Sequence, residues 1–566
     1  MEATGSDASG IAWWAHGAQG GSAADAADRG EKLLANLLHM DMTSFENEYW
    51  QQKPLVHRCP LKELSASHPA NMMPLAEVRK LLKRKHPRPA RFTHDIDVTR
   101  FVDGKRSALS TGHEEVDAAA VWRAFQRDGY SIRIVHPQQW HQASYELCSL
   151  LQEYFGNEVG CSAYLTPRNT QGFPPHYDDV EVFVLQLEGS KRWRLYERPD
   201  EAQRPAADTT TEFASSALGE PIDELTLHRG DVLYLPRGVV HQALSQEDGH
   251  SLHLTFSTNQ RHTWRDMLAD PALAHQLSPR AAACLAALRA PHAGAGGNGA
   301  GCGGVGGSGD SGDGDDEGIE NGVLRGAHLL CDLPLGLLAH HTAGSPAGGW
   351  AACAAHLIPP RIPYWLMLEL WTDGILGAAI DARALRFLQH SLPPWQPRAA
   401  TDAKRADGDD DHGSAEAAVD DATWLRLSAP HCARLVDIAH TNGELAAWER
   451  GEYRDGTPPE LALHTNVLNG RAFSEAPSPA FEVLPHLARS LVMVLHAGAA
   501  GMHIGVLPAA GSGDDEARAD LFDLLEVLVE HRVLTRIEPP TESGAAVHAA
   551  AHGPRGHGRK PKRTRK

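Results

Sequence analysis

Residues 150–260 constrain the fold more than any other stretch of the chain. They are a succession of short apolar runs rich in Val, Phe, Tyr, Leu and Trp, separated by Gly and Pro turns. Runs of that length and punctuation make the strands of a β-sandwich or barrel. A stack of short strands can enclose a site, and 566 residues leave room for it as one of two or three folded units joined by linkers.

The flanking sequence has other textures. Residues 1–29 are small and polar, which predicts disorder. From Glu31 onward Leu33, Leu34, Leu37 and Leu38 recur at helical spacing, and a second amphipathic run covers 73–82. Residues 30–268 therefore read as the β-rich unit with a helical entry segment. Residues 269–398 read as helical, as in the spacing of Trp365 to Leu368 and Leu366 to Leu370, interrupted by a Gly/Asp-rich linker at 292–322. An acidic linker follows at 399–418. Residues 419–540 mix helical runs with an expected hairpin at 461–473, where Asn469-Gly470 suits a tight turn of positive φ, giving a small helix-plus-wing unit. Residues 541–566 are expected to be disordered. Their end carries Arg555, Arg559, Lys560, Lys562, Arg563, Arg565 and Lys566 with no acidic residue from 555 onward, the pattern of a nuclear-localisation or nucleic-acid-binding tail.

Composition excludes several classes. No stretch approaches the roughly 18 uninterrupted apolar residues of a membrane helix, so no membrane association is expected. The N-terminus lacks the basic-then-apolar order of a secretory signal, and a reducing compartment is the expectation. The eight cysteines are scattered without a C-x-x-C pair, which argues against a structural zinc or a redox dithiol. The formal charge of −19 and the absence of a Lys/Arg-rich helix in the helix-plus-wing unit disfavour nucleic-acid binding and favour protein contact.

The chemistry concentrates in Gly172-Phe-Pro-Pro-His176-Tyr-Asp178-Asp179-Val-Glu-Val-Phe-Val-Leu-Gln-Leu-Glu-Gly189-Ser-Lys191-Arg-Trp193. On an extended strand His176 and Asp178 project from the same face and can reach one metal ion. A third ligand is offered by Gly230-Asp231-Val-Leu-Tyr-Leu-Pro236-Arg-Gly238-Val-Val-His241, a strand, a turn and a histidine. Two His and one carboxylate on one face of an octahedral ion leave three positions open, the arrangement of non-heme Fe(II) oxygenases. A 2-oxo acid can take two of them and dioxygen the third. The far carboxylate of such a cosubstrate needs a cation, and Lys191, just past the Gly189-Ser190 turn, is the candidate. A lone H-x-D is weak in a chain with 33 histidines, and His113-Glu-Glu115 supplies an H-x-E decoy without a later histidine module. A zinc or manganese sugar-type cupin and a non-catalytic cupin-like adaptor remain open on these residues.

Several segments together resemble the JmjC ribosomal oxygenases, a group that includes bifunctional histidyl-hydroxylase/lysine-demethylases. They are Tyr154-Phe-Gly156, Tyr164-Leu-Thr-Pro167, Gln171-Gly172, Pro174-Pro-His-Tyr-Asp-Asp-Val-Glu-Val-Phe183, Leu185-Gln-Leu-Glu-Gly189, Trp193-Arg194 and Gly230-Asp-Val-Leu-Tyr-Leu-Pro-Arg-Gly238, within about residues 140–268. The entry segment Phe45-Glu-Asn-Glu-Tyr-Trp-Gln-Gln-Lys-Pro-Leu55 is similar too. The resemblance implies an α+β multidomain chain: a double-stranded β-helix (JmjC, cupin-like) barrel, a helical dimerisation region making a homodimer, and a C-terminal winged helix. It implies Fe(II) held by His176, Asp178 and His241, and 2-oxoglutarate held by Lys191. Tyr164 falls at an active-site tyrosine of the family, Thr255 and His253 are weaker pocket candidates, and Tyr164 and Thr255 join Lys191 as expected cofactor-binding residues. Ser162 replaces an asparagine often found two places before the tyrosine. The implied reaction is hydroxylation of a protein side chain. The expected substrate is a histidine of a large-subunit ribosomal protein, with a histone lysine demethylated by the same chemistry as the alternative. The expected location is the nucleus and nucleolus.

Overall fold

The computed structural model describes residues 26–60, 64, 68–85, 88–197, 213–214, 218–258, 375–395, 418–429, 431–437, 460–471, 477–497 and 501–539. The first helix, α1 (Ala26–Leu38), starts inside the stretch expected to be disordered. Its stripe of Leu33, Leu34, Leu37 and Leu38 is buried in the main core, and that anchor carries helix back over the polar residues before it. α2 (Met42–Glu48) is capped by Asp41, whose carboxylate accepts from Ser44 N at 2.9 Å, and it buries Phe45. α3 (Leu75–Lys83) is the amphipathic run of 73–82, α4 spans Ala118–Arg127, and α5 (Gln142–Phe155) ends at Gly156 with φ of 62°.

Eleven strands follow the texture of the first half of the chain: β1 (Leu55–His57), β2 (Ile96–Val102), β3 (Lys105–Ala108), β4 (Ser131–Val135), β5 (Gly160–Thr166), β6 (Glu181–Glu188), β7 (Ser190–Tyr196), β8 (Asp223–His228), β9 (Val232–Leu235), β10 (Val240–Ser245) and β11 (Ser251–Thr258). They form a large antiparallel sheet in the order β1-β9-β6-β11-β5-β4-β2-β3 and a small one in the order β10-β7-β8. From β6 to β11 the chain passes repeatedly between the two. The first passage is the single residue Gly189, at φ of 63°, where a Cβ would lie 2.0 Å from the His250 carbonyl oxygen. Only glycine fits such a turn.

Side-chain alternation explains why β6 is buried almost throughout. Phe183, Leu185 and Leu187 face the helices in the main core, whereas Val182 and Val184 face the small sheet and meet Trp193, Leu195, Leu225 and Leu227. β9 divides in the same way, with Val232 and Tyr234 to the helices and Leu233 and Leu235 between the sheets. Each such side chain contributes roughly 1.5–3 kcal/mol on burial. The apolar filling occupies one end of the space between the sheets and leaves the other end for polar groups.

Of the stretch 269–398 expected to be helical, the described part is α6 (Ile375–His390) and the residues to 395. That tail docks on α5, whose buried polar side chains serve it. Tyr145 and Ser149 donate to the Pro393 carbonyl at 2.9 and 3.1 Å, and Gln152 both donates to Leu392 O and accepts from Leu392 N. The linkers at 292–322 and 399–417, and the basic tail, lie outside the described residues.

The C-terminal unit holds two three-stranded sheets, built from β12 (Trp424–Leu427), β13 (Ala433–Asp437), β14 (Leu461–Thr465), β15 (Ala480–Val483), β16 (Met502–His503) and β17 (Leu534–Arg536), with helices α7 (Ala488–His496) and α8 (Asp515–Glu530). β14 pairs antiparallel with β13 and with β15, while the second arm of the hairpin expected at 461–473 lies, from residue 472, outside the described residues. Neither Asn469 nor Gly470 takes a positive φ, and the Asn469 amide donates to Leu388 O and Ser391 O at the end of α6. Capping a helix end has displaced the turn that the dipeptide favours locally.

Candidate metal centre

His176 and His241 exchange backbone hydrogen bonds, N to O at 3.1 Å and 2.8 Å, in an isolated antiparallel bridge. That bridge lays the 176 segment alongside β10 at the edge of the small sheet. Two residues on, Asp178 O accepts from Gly238 N at 2.9 Å, which ties the H-x-D segment to the Pro236-Arg237-Gly238 turn before β10. The three side chains converge. His176 Nε2 lies 3.9 Å from Asp178 Oδ1 and His241 Nε2 lies 3.7 Å from Asp178 Oδ2, and one ligand atom from each residue falls within 4.8 Å of the others.

The tautomers are fixed from behind. His176 Nδ1 donates to Pro174 O at 2.8 Å and His241 Nδ1 donates to Val239 O at 3.0 Å, so each Nε2 presents a lone pair to the shared point. Burial, with His176 nearby, pushes His241 down to about 4, so the imidazole is neutral at physiological pH and ready to bind a cation. This donor set fits a divalent first-row metal with open coordination positions. Among the described residues no other group of His, Cys, Asp or Glu converges in this way. The decoy His113 meets Thr93 Oγ1 at 2.7 Å instead.

A cavity of about 670 Å³ opens from these three residues into the polar end of the space between the sheets. Alternation on β5 points Ser162 and Tyr164 into it, and β11 supplies His253 and Thr255 in register opposite them. Tyr164 and His253 stack with ring centroids 4.9 Å apart. Lys191, only 5% exposed, donates to Thr166 Oγ1 at 3.2 Å, and burial pushes its ammonium down to about 7. A buried ammonium with one neutral partner is poorly compensated, and an anion entering the cavity would complete it.

Sequence reasoning gave no role to Arg133, Thr166 or Trp193. Arg133 sits opposite Tyr164 on β4, and the Tyr164 oxygen holds its guanidinium above its ordinary value. The signal for Arg133 was its place between Ile132 and Ile134, on the other face of a strand. Thr166 is two residues from Tyr164 and shares its face by the same rule. Trp193 packs 5.8 Å from His241 and 5.6 Å from His253, and its indole N–H is buried without a hydrogen-bond partner among the described residues.

Residues 133–267 match the JmjC domain family. The chain carries a JmjC domain. Relatives match over longer stretches than this domain. The chain is 38% identical over 246 residues to the bifunctional lysine-specific demethylase and histidyl-hydroxylase NO66 of Drosophila melanogaster, covering 43% of this chain and 36% of that one. It is 46% identical over 177 residues to ribosomal oxygenase 1 of Rattus norvegicus, covering 31% and 29%. The NO66 of Dictyostelium discoideum is 38% identical over 248 residues, covering 44% and 46%. The chain thus spans between about a third and a half of the length of these relatives. Structures of the Escherichia coli ribosomal oxygenase YcfD align over 88% of this chain and 99% of theirs at 14% identity, with TM-scores of 0.37 and, for the complex with cobalt and 2-oxoglutarate, 0.36. All three converging ligand candidates and Lys191 lie within the JmjC domain.

Proposed function

We propose that this chain is an Fe(II)- and 2-oxoglutarate-dependent protein hydroxylase that acts on a histidine of a large-subunit ribosomal protein. The observation that carries the reading is the convergence of two tautomer-fixed imidazoles and a carboxylate beside a buried, poorly compensated ammonium in one cavity. His176, Asp178 and His241 would hold the metal, and Lys191 the distal carboxylate of the cosubstrate. When bound, iron and 2-oxoglutarate supply an oxidative decarboxylation in which O2 yields succinate, CO2 and one oxygen atom inserted into a C–H bond. The protein's own part is positional. Lys191 and Thr166 set the depth of the cosubstrate, the Trp193 and His253 rings wall the cavity, and Tyr164 with Thr255 lies where a substrate side chain would enter.

The ribosomal-protein substrate comes from the names of the relatives, which also carry lysine demethylation; a histone tail is the second substrate, reached by hydroxylating a methyl carbon. A sugar-type cupin has no use for a buried lysine at the far end of the cavity. The wider reading is a double-stranded β-helix, a dimerisation region in 269–398 making a homodimer, a winged helix in 419–540 that contacts protein, and a nuclear, nucleolar location directed by the tail. Deleting residues 555–566 from a fluorescent fusion tests that location, which unchanged nuclear accumulation would contradict.

For the activity, purified protein with Fe(II), 2-oxoglutarate and ribosomal-protein peptides should release succinate and add one oxygen to a histidine-containing peptide. Both signals should vanish in His176→Ala. Demonstrated iron binding without turnover across a survey of ribosomal and histone peptides would move the reading to the non-catalytic adaptor.

A further inference from the structure

A second cavity, of about 460 Å³, lies between the end of the large sheet, α6 and the segment at 470–471. It adjoins the metal cavity: His136, Gly160, Val180 and Ser257 line both. The register of β5 on β11 makes the join a track. The pairs Tyr164 with His253, Ser162 with Thr255, and Gly160 with Ser257 follow one another on the same face, each step being roughly 7 Å. The first two pairs line the metal cavity alone and the third lines both.

The charge of this second cavity is opposite to that of the chain. Arg383, Arg386 and Arg471 line it against one carboxylate, Glu158, in a protein of formal charge −19. Arg383 is committed to the structure, donating to Asn157 Oδ1 at 2.5 Å and pairing with Glu158 at 3.2 Å. Arg386 is exposed and Arg471 half-buried, and neither forms an ion pair among the described residues. Arg471 is nonetheless held in place: it lies 3.8 Å from the Tyr145 ring centroid and donates to Gln142 Oε1 at 2.7 Å. Its charge is oriented and is felt by the Glu146 carboxyl, which burial raises and Arg471 lowers in part, but it forms no direct ion pair among the described residues.

We infer that the second cavity is a subsite for an acidic side chain of the polypeptide whose oxidised residue occupies the metal cavity. The inference rests on the protein-hydroxylase reading and adds to it a rule of substrate choice. At the rise of an extended chain, the acidic residue falls roughly two to five positions from the oxidised one. Two separate guanidiniums suit one or two carboxylates better than a run of phosphates, which would also face the chain's overall negative charge.

The test is fluorescence anisotropy of labelled short peptides, each with one central histidine and a single Asp walked along otherwise neutral positions, titrated onto the full chain. Asp in the stated window should tighten binding by roughly five- to tenfold over Ala. Arg386→Glu and Arg471→Glu should each lose that gain, and in both variants Lys at the same position should bind better than Asp. Equal binding of Asp and Ala peptides at every position, or a preference unchanged in both variants, would overturn the subsite. So would tighter binding by a short single-stranded RNA than by the Asp peptide. Because anisotropy needs no turnover, Asp-dependent binding without any oxygen gain would uphold the subsite while failing the hydroxylase reading.

Discussion

The two regions of this chain differ in where their buried polar groups face: into closed structure in one, into a cavity in the other. In the C-terminal unit, a closed apolar core built on Leu491, Leu521, Leu525 and Leu528 surrounds polar side chains that are tied into the structure. Thr465 donates to Cys432 O, Asn466 donates to Ser391 Oγ, and the Ser490 hydroxyl accepts from Ala509 N; Asn466 Oδ1 and His464 Nε2 lack a hydrogen-bond partner among the described residues, but they line neither cavity. In the JmjC domain, Lys191 has one neutral hydroxyl, and the His253 Nδ1 and Trp193 Nε1 are buried without a hydrogen-bond partner among the described residues. Satisfied polar groups specify a shape, whereas unsatisfied ones around a cavity specify a ligand. The destabilisation left in the JmjC domain is what a metal and a dicarboxylate would relieve.

The comparison can be broken most sharply at the metal. His176→Ala should reduce turnover by at least about three orders of magnitude and remove visible absorbance from added Co(II), while circular dichroism and Tm stay close to wild type. Loss of fold in that variant would mean that the imidazole's hydrogen bond to Pro174 O and its packing, and not metal binding, are what the side chain provides. The contrasting change is Leu525→Ala in the C-terminal core, where the side chain is fully buried. It should cost about 2–5 kcal/mol in denaturant unfolding and leave the turnover of folded protein unaltered. A change of KM for 2-oxoglutarate there would couple two regions that the account keeps separate.

Lys191→Met sharpens the contrast, because it should weaken the site and strengthen the fold. KM for 2-oxoglutarate should rise by roughly ten- to a hundredfold, the loss of a charge-assisted hydrogen bond. The ligand-free variant should melt above wild type. Burial holds Lys191 at about 7 in the folded protein, against an ordinary 10.5. Between those values the unfolded chain carries the extra proton, so wild-type stability rises with pH across that window. The variant's advantage should therefore be greatest below pH 7 and should shrink toward pH 10.5; an advantage independent of pH would assign it to packing. The smallest effect is on linkage: above pH 7, binding of 2-oxoglutarate should draw up to one proton from solution, read as a calorimetric enthalpy that changes with the ionisation enthalpy of the buffer.

Much of the JmjC domain was legible because period-two alternation carries both its fold and its site. Ser162 and Tyr164, and His253 and Thr255, are strand pairs two residues apart, so a strand assignment places them without knowledge of the tertiary structure; His176 and Asp178 have the same spacing but lie between β5 and β6, held by a single bridge and not by the strand expected for them. What that rule cannot supply is which strand lies opposite. Arg133 and Thr166 were missed because their relevance depends on β4 and β5 pairing at Arg133–Tyr164 and on β7 facing β5 across the cavity. The C-terminal unit shows the same limit. Asn469-Gly470 has the local chemistry of a tight turn, yet α6 ends beside it and takes the Asn469 amide as a cap. Contacts between distant segments decided that case, and local sequence does not encode them.

The most direct test of the central claim is a calorimetric titration of 2-oxoglutarate into the full chain with and without Co(II), for wild type, His176→Ala and Lys191→Met. Wild type should show one site that requires the metal, and binding should be lost or strongly weakened in both variants. Binding that is independent of metal and unaffected by either substitution would contradict the claim.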